Sequence, residues 1–448
     1  MFSFGFQPNS SNPALHKVNK ELKREAIDMY SSDKFKIFSC DGGGFRGYLT
    51  SLILERIEKK LNNEIAAVQT KNNASNQKLG DYFEMYAGTS TGALIACGLA
   101  FGLSAQEIKN IYDKHGEKIF PNLNIWKELQ YRAAQFLSAF TIQRLTGMTS
   151  EHRFWSSKPL FDGTELQKAI ENVFGQDTRL GDFAHNKRII ITAYDVWNSL
   201  PVIFDNQNEE HQSLKIVDIL LASAAYPGGF PAHSISDPSF IKHQAKLGSS
   251  KPNYDGFPLV DGGLVANNPA LLALAEYCKY KKNNPQIPDA VILATFGTGK
   301  LALRFNLNQT KTMGLLDWTF PFGNPLLEVI FGGYSRLTDN IASSLLLDYI
   351  NKDGIDNYFR FQPYIQTVEN QSSTVSSNLY PITLPDSVFI TPQEQKQFES
   401  ATFQHSSKNV LAKIADKYLT EKPEDSNPPL NQEMQVSQRI DKLVRSLL

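Results

Sequence analysis

Apolar and polar positions in the first quarter of the chain predict two strand–helix pairs. Residues 35–40 (FKIFSC) form a short, mostly apolar run that predicts a strand, and the apolar positions between Leu49 and Leu61 then recur at helical spacing. A second apolar run at 82–87 predicts another strand, and a buried helix is predicted over 93–101. Short strands that alternate with helices indicate an α/β fold with a mainly parallel sheet.

The first strand–helix junction carries a glycine-rich turn, DGGGFRG, at 41–47. Unpaired N–H groups and the positive end of the helix dipole face the same way at such a junction, and both favour negative charge. Glycine also lets the backbone come close to a bound group. This turn is therefore a candidate for stabilising a developing oxyanion.

The second junction carries the sequence GTSTG at 88–92, with Ser90 at its centre. The pattern Gly-X-Ser-X-Gly between a strand and a helix is typical of a nucleophile elbow, in which a tight turn presents the serine hydroxyl at the edge of a sheet. The five-residue pattern alone is weakly specific, but its strand–turn–helix setting strengthens the interpretation.

A third turn, DGG at 261–263, follows the short apolar run 258–260. Asn268 is expected to cap the next helix, and Pro269 to occupy its first position. If the strands are parallel, Asp261 will lie at a strand end close to the other two turns.

These three motifs, in this order, resemble those of the patatin-like phospholipase family. The segments ASAAYP at 222–227 and FGTG at 296–299 strengthen the resemblance, which covers residues 35–300 and extends more loosely through 357–361. No departure is seen at the matching catalytic positions. The resemblance implies a three-layer α/β/α core with a mainly parallel central sheet, plus a C-terminal appendage.

The resemblance also implies roles for individual residues. Ser90 would be the nucleophile and Asp261 its partner, in a dyad that needs no histidine, no metal and no cofactor. The reaction would be hydrolysis of a fatty-acyl ester of a phospholipid or lysophospholipid through a covalent acyl-enzyme. The remaining implied residues are the oxyanion-hole set Gly42, Gly43 and Gly44 with Arg46 beside it, and the elbow glycines Gly88 and Gly92.

This chemistry makes a specific demand on Asp261. A serine hydroxyl is a poor nucleophile until a base accepts its proton, and an ordinary aspartate, with a pKa of about 3.9, is a weak base at neutral pH. Burial would raise that pKa. The oxyanion donors are expected to supply the larger effect, since removing one typically costs roughly 100–1,000-fold in rate.

Other interpretations of the glycines and of Ser90 are disfavoured. Gly42, Gly44 and Gly47 fit the dinucleotide pattern Gly-X-Gly-X-X-Gly, but the expected second strand ending in an acidic residue is replaced by a charged helix and a polar loop at 55–72. A phosphate-binding P-loop would need Gly-Lys-Ser/Thr. Ser90 as an ordinary turn residue would be the default only for an isolated match.

A Ser–Asp–His triad remains an alternative to the dyad. In α/β-hydrolases the histidine follows the acid in the chain, and the one histidine after Asp261 is His405, in a polar stretch. The competing interpretation of His405 is a solvated residue at a helix end.

Composition excludes several classes of protein. The 448 residues are 41% hydrophobic and 20% charged, with a net charge of −1, so there is no bulk attraction to nucleic acid. The three cysteines, Cys40, Cys97 and Cys278, are predicted to be buried thiols, not a disulfide or metal framework. The uncharged stretch 85–106 is long enough to span a bilayer, but its glycines and hydroxyl residues favour an elbow and a buried helix.

We expect four regions: an N-terminal leader helix in 1–34, a catalytic domain at 35–305, a C-terminal appendage at 306–420, and a linker with a terminal amphipathic helix at 421–448. The N-terminus lacks the apolar core of a signal peptide, so a cytoplasmic location, or export without a classical signal peptide, is expected, with no transmembrane segment. Residues 118–161 are expected to form helices over the site.

The C-terminal regions offer contacts with other molecules. Apolar residues between 315 and 331 suggest packing on the core or, alternatively, a lipid-entry groove or peripheral membrane contact. Apolar positions between Val436 and Leu447 form one stripe, for which folding back is the preferred interpretation. Two alternatives to simple hydrolysis remain: acyl transfer by the same dyad, and a partner-regulated effector or binding protein that uses its C-terminal region.

Overall fold

The computed structural model describes most of the predicted catalytic region. The residues described are 34–68, 77–122, 159–248, 256–302, 305, 307–314, 317–318, 325–351, 357–367, 386–420 and 435–448. The predicted leader helix, and most of the helices expected over the site at 118–161, lie outside these residues.

Strands alternate with helices, as the apolar pattern predicts. The strands are β1 Lys34–Cys40, β2 Met85–Thr89, β3 Arg188–Asp195, β4 Leu200–Asp205, β5 His233–Ser234, β6 Pro258–Asp261, β7 Ala290–Phe296, β8 Lys300–Leu301, β9 Tyr358–Phe361, β10 Tyr364–Thr367 and β11 Ser387–Ile390. The α-helices are α1 Gly47–Val68, α2 Thr91–Ala100, α3 Ala105–Ile119, α4 Thr164–Phe174, α5 Glu209–Gln212, α6 Ile216–Ser223, α7 Pro238–Leu247, α8 Gly263–Ala266, α9 Ala270–Asn283, α10 Leu307–Thr312, α11 Pro325–Leu345, α12 Pro392–Ser400, α13 Lys408–Thr420 and α14 Val436–Leu447.

Among the described residues, eight strands form one sheet in the order β5-β6-β3-β2-β1-β7-β9, with β4 paired to β3. The pairs β2–β1, β1–β7, β2–β3 and β7–β9 are parallel. The sheet separates two apolar cores, because alternate side chains of a strand face opposite sides. Phe38 of β1 lies in the larger core, whereas Phe35 and Ile37 lie in the smaller one, against α9. The three-layer α/β/α architecture with a mainly parallel sheet is confirmed.

Strand β6 runs against the expected direction. It pairs with β3 in an antiparallel register that places Asp261 opposite Ala193. The last residue of β2, Thr89, is opposite Thr192 of β3, so β3 extends beyond the end of β2. The four-residue β6 pairs with this extension of β3 and ends where β2 ends. Asp261 therefore reaches the carboxyl edge of β2 from the opposite direction to a parallel strand.

The segment predicted as an appendage contributes to the central sheet. Strand β9 pairs with β7 from Tyr358 to Phe361, and α13 packs against α1. The terminal helix α14 folds back onto the same core, where four of its apolar side chains are buried: Ile440, Leu443, Val444 and Leu447.

Some details of the sequence prediction need correction. Strand β2 begins at Met85 because residues Leu79–Tyr82 form a 3-10 turn. Helix α9 begins one residue later than expected, with Pro269 as its N-cap, although the Asn268 side chain still accepts from the Ala270 N–H at 3.1 Å. Cys278 is exposed, whereas Cys40 and Cys97 are buried. No helix in the described part of the chain has the length and apolar character to cross a membrane.

Candidate active site

Ser90 occupies a strained turn between β2 and α2. Its backbone angles are φ 56° and ψ −125°, a left-handed φ that non-glycine residues rarely adopt and that clusters at functional sites. The Ser90 N–H donates to the Oγ of Ser223 at 2.9 Å, and its carbonyl accepts the first helical N–H, from Ala93, at 2.9 Å. This geometry is that of a nucleophile elbow, and it leaves the residue 9% exposed.

The elbow needs its two glycines because the backbone is crowded on both sides of Ser90. A Cβ on Gly88 would lie 2.5 Å from the Ala93 Cα, and one on Gly92 would lie 2.6 Å from the Asp41 carbonyl. The second contact places the start of α2 directly against the end of β1. The elbow and the glycine-rich turn are therefore packed together, as their sequences predict.

Asp261, at the end of β6, is 2% exposed. Burial raises the pKa of its carboxyl from 3.8 to about 6, although a hydrogen bond from the Ser90 side chain and one from the Gly263 N–H lower the pKa in part. The Gly263 N–H donates to Asp261 Oδ1 at 2.7 Å. The structure thus brings Ser90 and Asp261 into hydrogen-bond contact, with the carboxyl a stronger base than an ordinary aspartate.

The three glycines of the first turn differ in their hydrogen bonds. The Gly42 N–H donates to the Asn267 carbonyl at 3.0 Å, and the Gly42 carbonyl accepts from Thr298 Oγ1 at 2.8 Å. The N–H groups of Gly43 and Gly44 have no acceptor among the described residues. A Cβ on Gly42 would lie 3.3 Å from the Ser90 Cβ, so this turn passes beside the serine. Gly42 is thus already engaged, whereas Gly43 and Gly44 remain as donors.

Comparison with known proteins places the chain in a family. The profile described as Patatin-like phospholipase matches residues 38–274, a span that contains both glycine motifs and Asp261. The chain belongs to the patatin-like phospholipase family. Membership supports lipid acyl hydrolysis as its general class of activity.

Three relatives illustrate the similarity. Patatin-like protein 3 of Arabidopsis thaliana is 31% identical over 354 residues, which cover 72% of this chain and 72% of the relative. Patatin-like protein 2 of Oryza sativa subsp. indica is 25% identical, covering 91% of this chain and 98% of the relative. A cGAMP-activated phospholipase of Vibrio cholerae serotype O1 is also 25% identical, covering 78% and 88%.

Arg46 in this patatin-like phospholipase is directed toward the C-terminal region. Its guanidinium lies 3.4 Å from Glu328 Oε1 of α11, and it stacks over the Phe398 ring of α12, 5.5 Å from the ring centre. Arg46 lies two residues after Gly44 and ends the 3-10 turn Gly44–Arg46. Its described contacts link that turn to α11 and α12.

The carboxylate of Asp41 pairs with an arginine of the C-terminal region. Its buried carboxylate accepts two hydrogen bonds from Arg360 of β9, at 2.8 and 2.6 Å. Arg360 also lies 3.2 Å from Asp339 of α11. This pair ties the glycine turn to the strand contributed by the C-terminal region.

Three residues that support the site were not singled out from the sequence: Ser223, Asn267 and Thr298. All three lie within or beside motifs that carry the family resemblance, but their roles depend on contacts between distant segments. The Ser223 carbonyl accepts from the Gly262 N–H at 3.4 Å, and the Ala225 carbonyl accepts from the Asp261 N–H at 3.0 Å. One short segment at the C-terminal end of α6 therefore contacts both the serine and the aspartate.

His405 lies in a different environment from the dyad. Its ring packs edge-on against Phe45, with centroids 5.1 Å apart, and the main-chain N–H of His405 donates to the Phe120 carbonyl at 3.0 Å. The causes of the pKa shift of Asp261 are its burial and its hydrogen bonds with Ser90 and Gly263, and His405 is not among them. Among the described residues, no group of histidine, cysteine, aspartate and glutamate could hold a metal ion.

Proposed function

We propose that this patatin-like phospholipase hydrolyses fatty-acyl esters of phospholipids or lysophospholipids through a Ser90–Asp261 dyad. The observation that carries the proposal is the hydrogen bond between the Ser90 side chain and a carboxyl whose pKa burial raises to about 6. A catalytic base is most effective when its pKa lies near the working pH. An aspartate in this environment meets that condition without a histidine.

The reaction divides into two steps. Ser90 Oγ attacks the ester carbonyl and transfers its proton to Asp261; the tetrahedral intermediate then collapses, and Asp261 returns the proton to the departing alcohol. The fatty acyl group is left on Ser90. Water, deprotonated by Asp261, then attacks this acyl-enzyme and releases the fatty acid while the proton returns to Ser90.

Gly43 and Gly44 are the proposed donors to the oxyanion. Their N–H groups have no acceptor in the described part of the chain, and they lie at the strand–helix junction beside the serine. Gly42 is proposed to permit close approach instead, because its own N–H already donates to Asn267. Arg46 is proposed to hold this turn in place through Glu328.

A fluorophosphonate probe, with intact-mass measurement, tests the nucleophile. We expect one adduct on the wild-type protein and none on Ser90→Ala, and we expect fatty-acid release from phosphatidylcholine to disappear in the same variant. The matched control is Ser39→Ala, because Ser39 is also buried and its hydroxyl has no described partner. Equal labelling of Ser90→Ala and wild type would exclude Ser90 as the nucleophile.

A ligand- or partner-regulated phospholipase is the second candidate. Ser90 is 9% exposed, so a lipid chain has little access to the hydroxyl in this conformation, and one relative is a cGAMP-activated phospholipase. Fatty-acid release measured with and without added cGAMP tests this version. Full activity of the purified chain alone would argue against it. Acyl transfer uses the same acyl-enzyme and would appear as a new ester when an alcohol acceptor is added.

A further inference from the structure

Helix α11 (Pro325–Leu345) has most of its described large apolar side chains on the outside. Six of them recur at spacings of three or four residues along one face and are between 37% and 57% exposed. We call this face the outer stripe. It consists of Leu326, Val329, Ile330, Tyr334, Leu337 and Ile341.

The opposite face of α11 carries polar residues that are buried against the core. Ser335 and Thr338 are 1% and 2% exposed. Asp339 contacts Arg360 at 3.2 Å and accepts from the Asn268 amide at 2.6 Å. A surface helix normally turns its apolar side inward, so this helix has the inverse distribution. Polar contacts and the buried Ala342 attach the helix to the core, and its six exposed apolar side chains are available to bind another surface.

The acidic side chains of α11 are directed away from the outer stripe. Glu328 pairs with Arg46, and Asp339 pairs with Arg360. Arg336 is exposed beside the stripe, with its guanidinium 5.2 Å from the centre of the Tyr364 ring. The outer stripe therefore presents aliphatic side chains and one tyrosine with a single flanking cation and no acidic residue. This combination matches a helix that lies in the headgroup region of a lipid layer.

The inner face of α11 leads directly to the proposed oxyanion turn. Glu328 contacts Arg46, two residues after Gly44, and Asp339 shares Arg360 with Asp41, two residues before Gly43. Lys300 also donates to the Phe331 carbonyl at 3.2 Å, near the middle of the helix. The helix is thus attached to both ends of the glycine turn.

We infer that the outer stripe docks this protein on a lipid surface, with α11 lying between that surface and the glycine turn. The inference rests on the proposed function, because a phospholipid substrate is presented by such a surface. A lipid layer is favoured over a second copy of the chain because the stripe carries no acidic residue to pair with Arg336. Docking brings the lipid layer, which carries the substrate esters, to the side of the molecule where α11 is attached to the glycine turn.

Co-sedimentation with phosphatidylcholine vesicles tests the inference in the Ser90→Ala background, where the vesicles are not consumed. The test variant is Ile330→Gln with Leu337→Gln. The control is Leu247→Gln on α7, because Leu247 is 53% exposed and the two stripe residues are 51% and 57% exposed. We expect the stripe variant to lose at least tenfold in vesicle partitioning and the control to match its parent.

The same stripe substitutions in the Ser90-containing protein are assayed on a water-soluble short-chain ester. Unchanged hydrolysis there, with reduced hydrolysis of vesicles, supports docking. Equal vesicle partitioning by the stripe variant and the control overturns it. So does a second result: the parent protein forms a dimer, the stripe substitutions dissociate that dimer, and neither the parent nor the stripe variant binds vesicles. Failure of the proposed function is distinguishable, since it would abolish Ser90-dependent ester hydrolysis without altering vesicle binding.

Discussion

The main-chain N–H of Ser90 donates to the side-chain oxygen of Ser223 across 2.9 Å, although the two residues are 133 positions apart. This bond holds the N–H of a residue with a left-handed backbone. The segment that supplies it also accepts hydrogen bonds from the N–H groups of Asp261 and Gly262. Ser223 is therefore placed to maintain the position of the nucleophile relative to its base.

We expect Ser223→Ala to lower kcat by about tenfold to 100-fold with little change in KM. A buried N–H that loses its acceptor costs about 1–3 kcal/mol, and here the displaced group is the proposed nucleophile. Ser223→Thr, which retains an oxygen acceptor, should recover part of the rate. Steady-state kinetics with Ser39→Ala as the buried-serine control measure this. Equal kcat for Ser223→Ala and Ser39→Ala would remove any positioning role.

The pH dependence of kcat/KM should follow Asp261. With the pKa of this carboxyl raised to about 6, the base is protonated below that pH, so activity should rise through pH 6 and level off above it. Asp261→Asn should abolish most of the activity and leave no such midpoint. A wild-type profile that is flat from pH 4.5 to 8 would show that Asp261 does not act as the base.

Ionisation of the same carboxyl should have the opposite effect on stability. As the pH rises, activity increases but the free energy of unfolding decreases. The pKa of this carboxyl is higher in the folded than in the unfolded protein, so folding is favoured below pH 3.8, and this contribution is lost as pH rises through about 6. The change corresponds to about 3 kcal/mol. Between those pH values, wild type should lose that much unfolding free energy relative to Asp261→Asn. Urea denaturation of both proteins across the range gives the difference directly.

Thr298 should affect the rate through the glycine turn. Its hydroxyl donates to the Gly42 carbonyl at 2.8 Å, so Thr298→Val removes the bond with little change in shape, whereas Thr298→Ser keeps it. We expect Thr298→Val to lower kcat by about tenfold, since one lost hydrogen bond of about 1 kcal/mol also loosens the proposed oxyanion donors. If Thr298→Ser and Thr298→Val have the same kcat, this hydrogen bond does not contribute to catalysis.

Breaking the Asp41–Arg360 pair should destabilise the fold. Arg360→Met leaves the buried Asp41 carboxylate without its bidentate partner, and such a loss typically costs about 3–5 kcal/mol. Asp41→Asn combined with Arg360→Met should cost less than Arg360→Met alone, because no unpaired charge then remains at Asp41. Chemical denaturation of the single and double variants tests the ordering.

His405→Ala is expected to retain the ester hydrolysis of wild type. The imidazole packs on Phe45, so the substitution should reduce thermal stability modestly while leaving kcat/KM within about twofold. Activity on a soluble ester and a melting curve distinguish the two effects. A loss of activity as complete as that of Ser90→Ala would instead favour the triad.

The sequence predicts the motif-bearing elements well because their chemistry is local. Glycines at 42–44, 88 and 92 imply tight turns wherever the rest of the chain lies, and the apolar periodicity of β1, α1 and α2 identifies elements packed on a sheet. The direction of β6 is different. It depends on how far β3 extends beyond β2, which no short segment encodes.

Support from distant residues is likewise hidden in the sequence. Ser223, Thr298 and Arg360 are ordinary in their local settings, and each acquires its role from a partner more than 100 residues away. The exposed apolar face of α11 has no signal in the sequence either. An apolar run indicates burial by default, and the polar residues that fix this helix do so through Arg46 and Arg360.

The bond from the Gly42 N–H to the Asn267 carbonyl joins two parts of the site that the sheet alone would leave separate. Asn267 follows Asp261 by only six residues, so the short length of backbone that carries the proposed proton acceptor also holds the turn that carries the proposed amide donors. When that length shifts, both groups are carried with it. Their spacing can therefore persist while the molecule rearranges to admit a fatty chain.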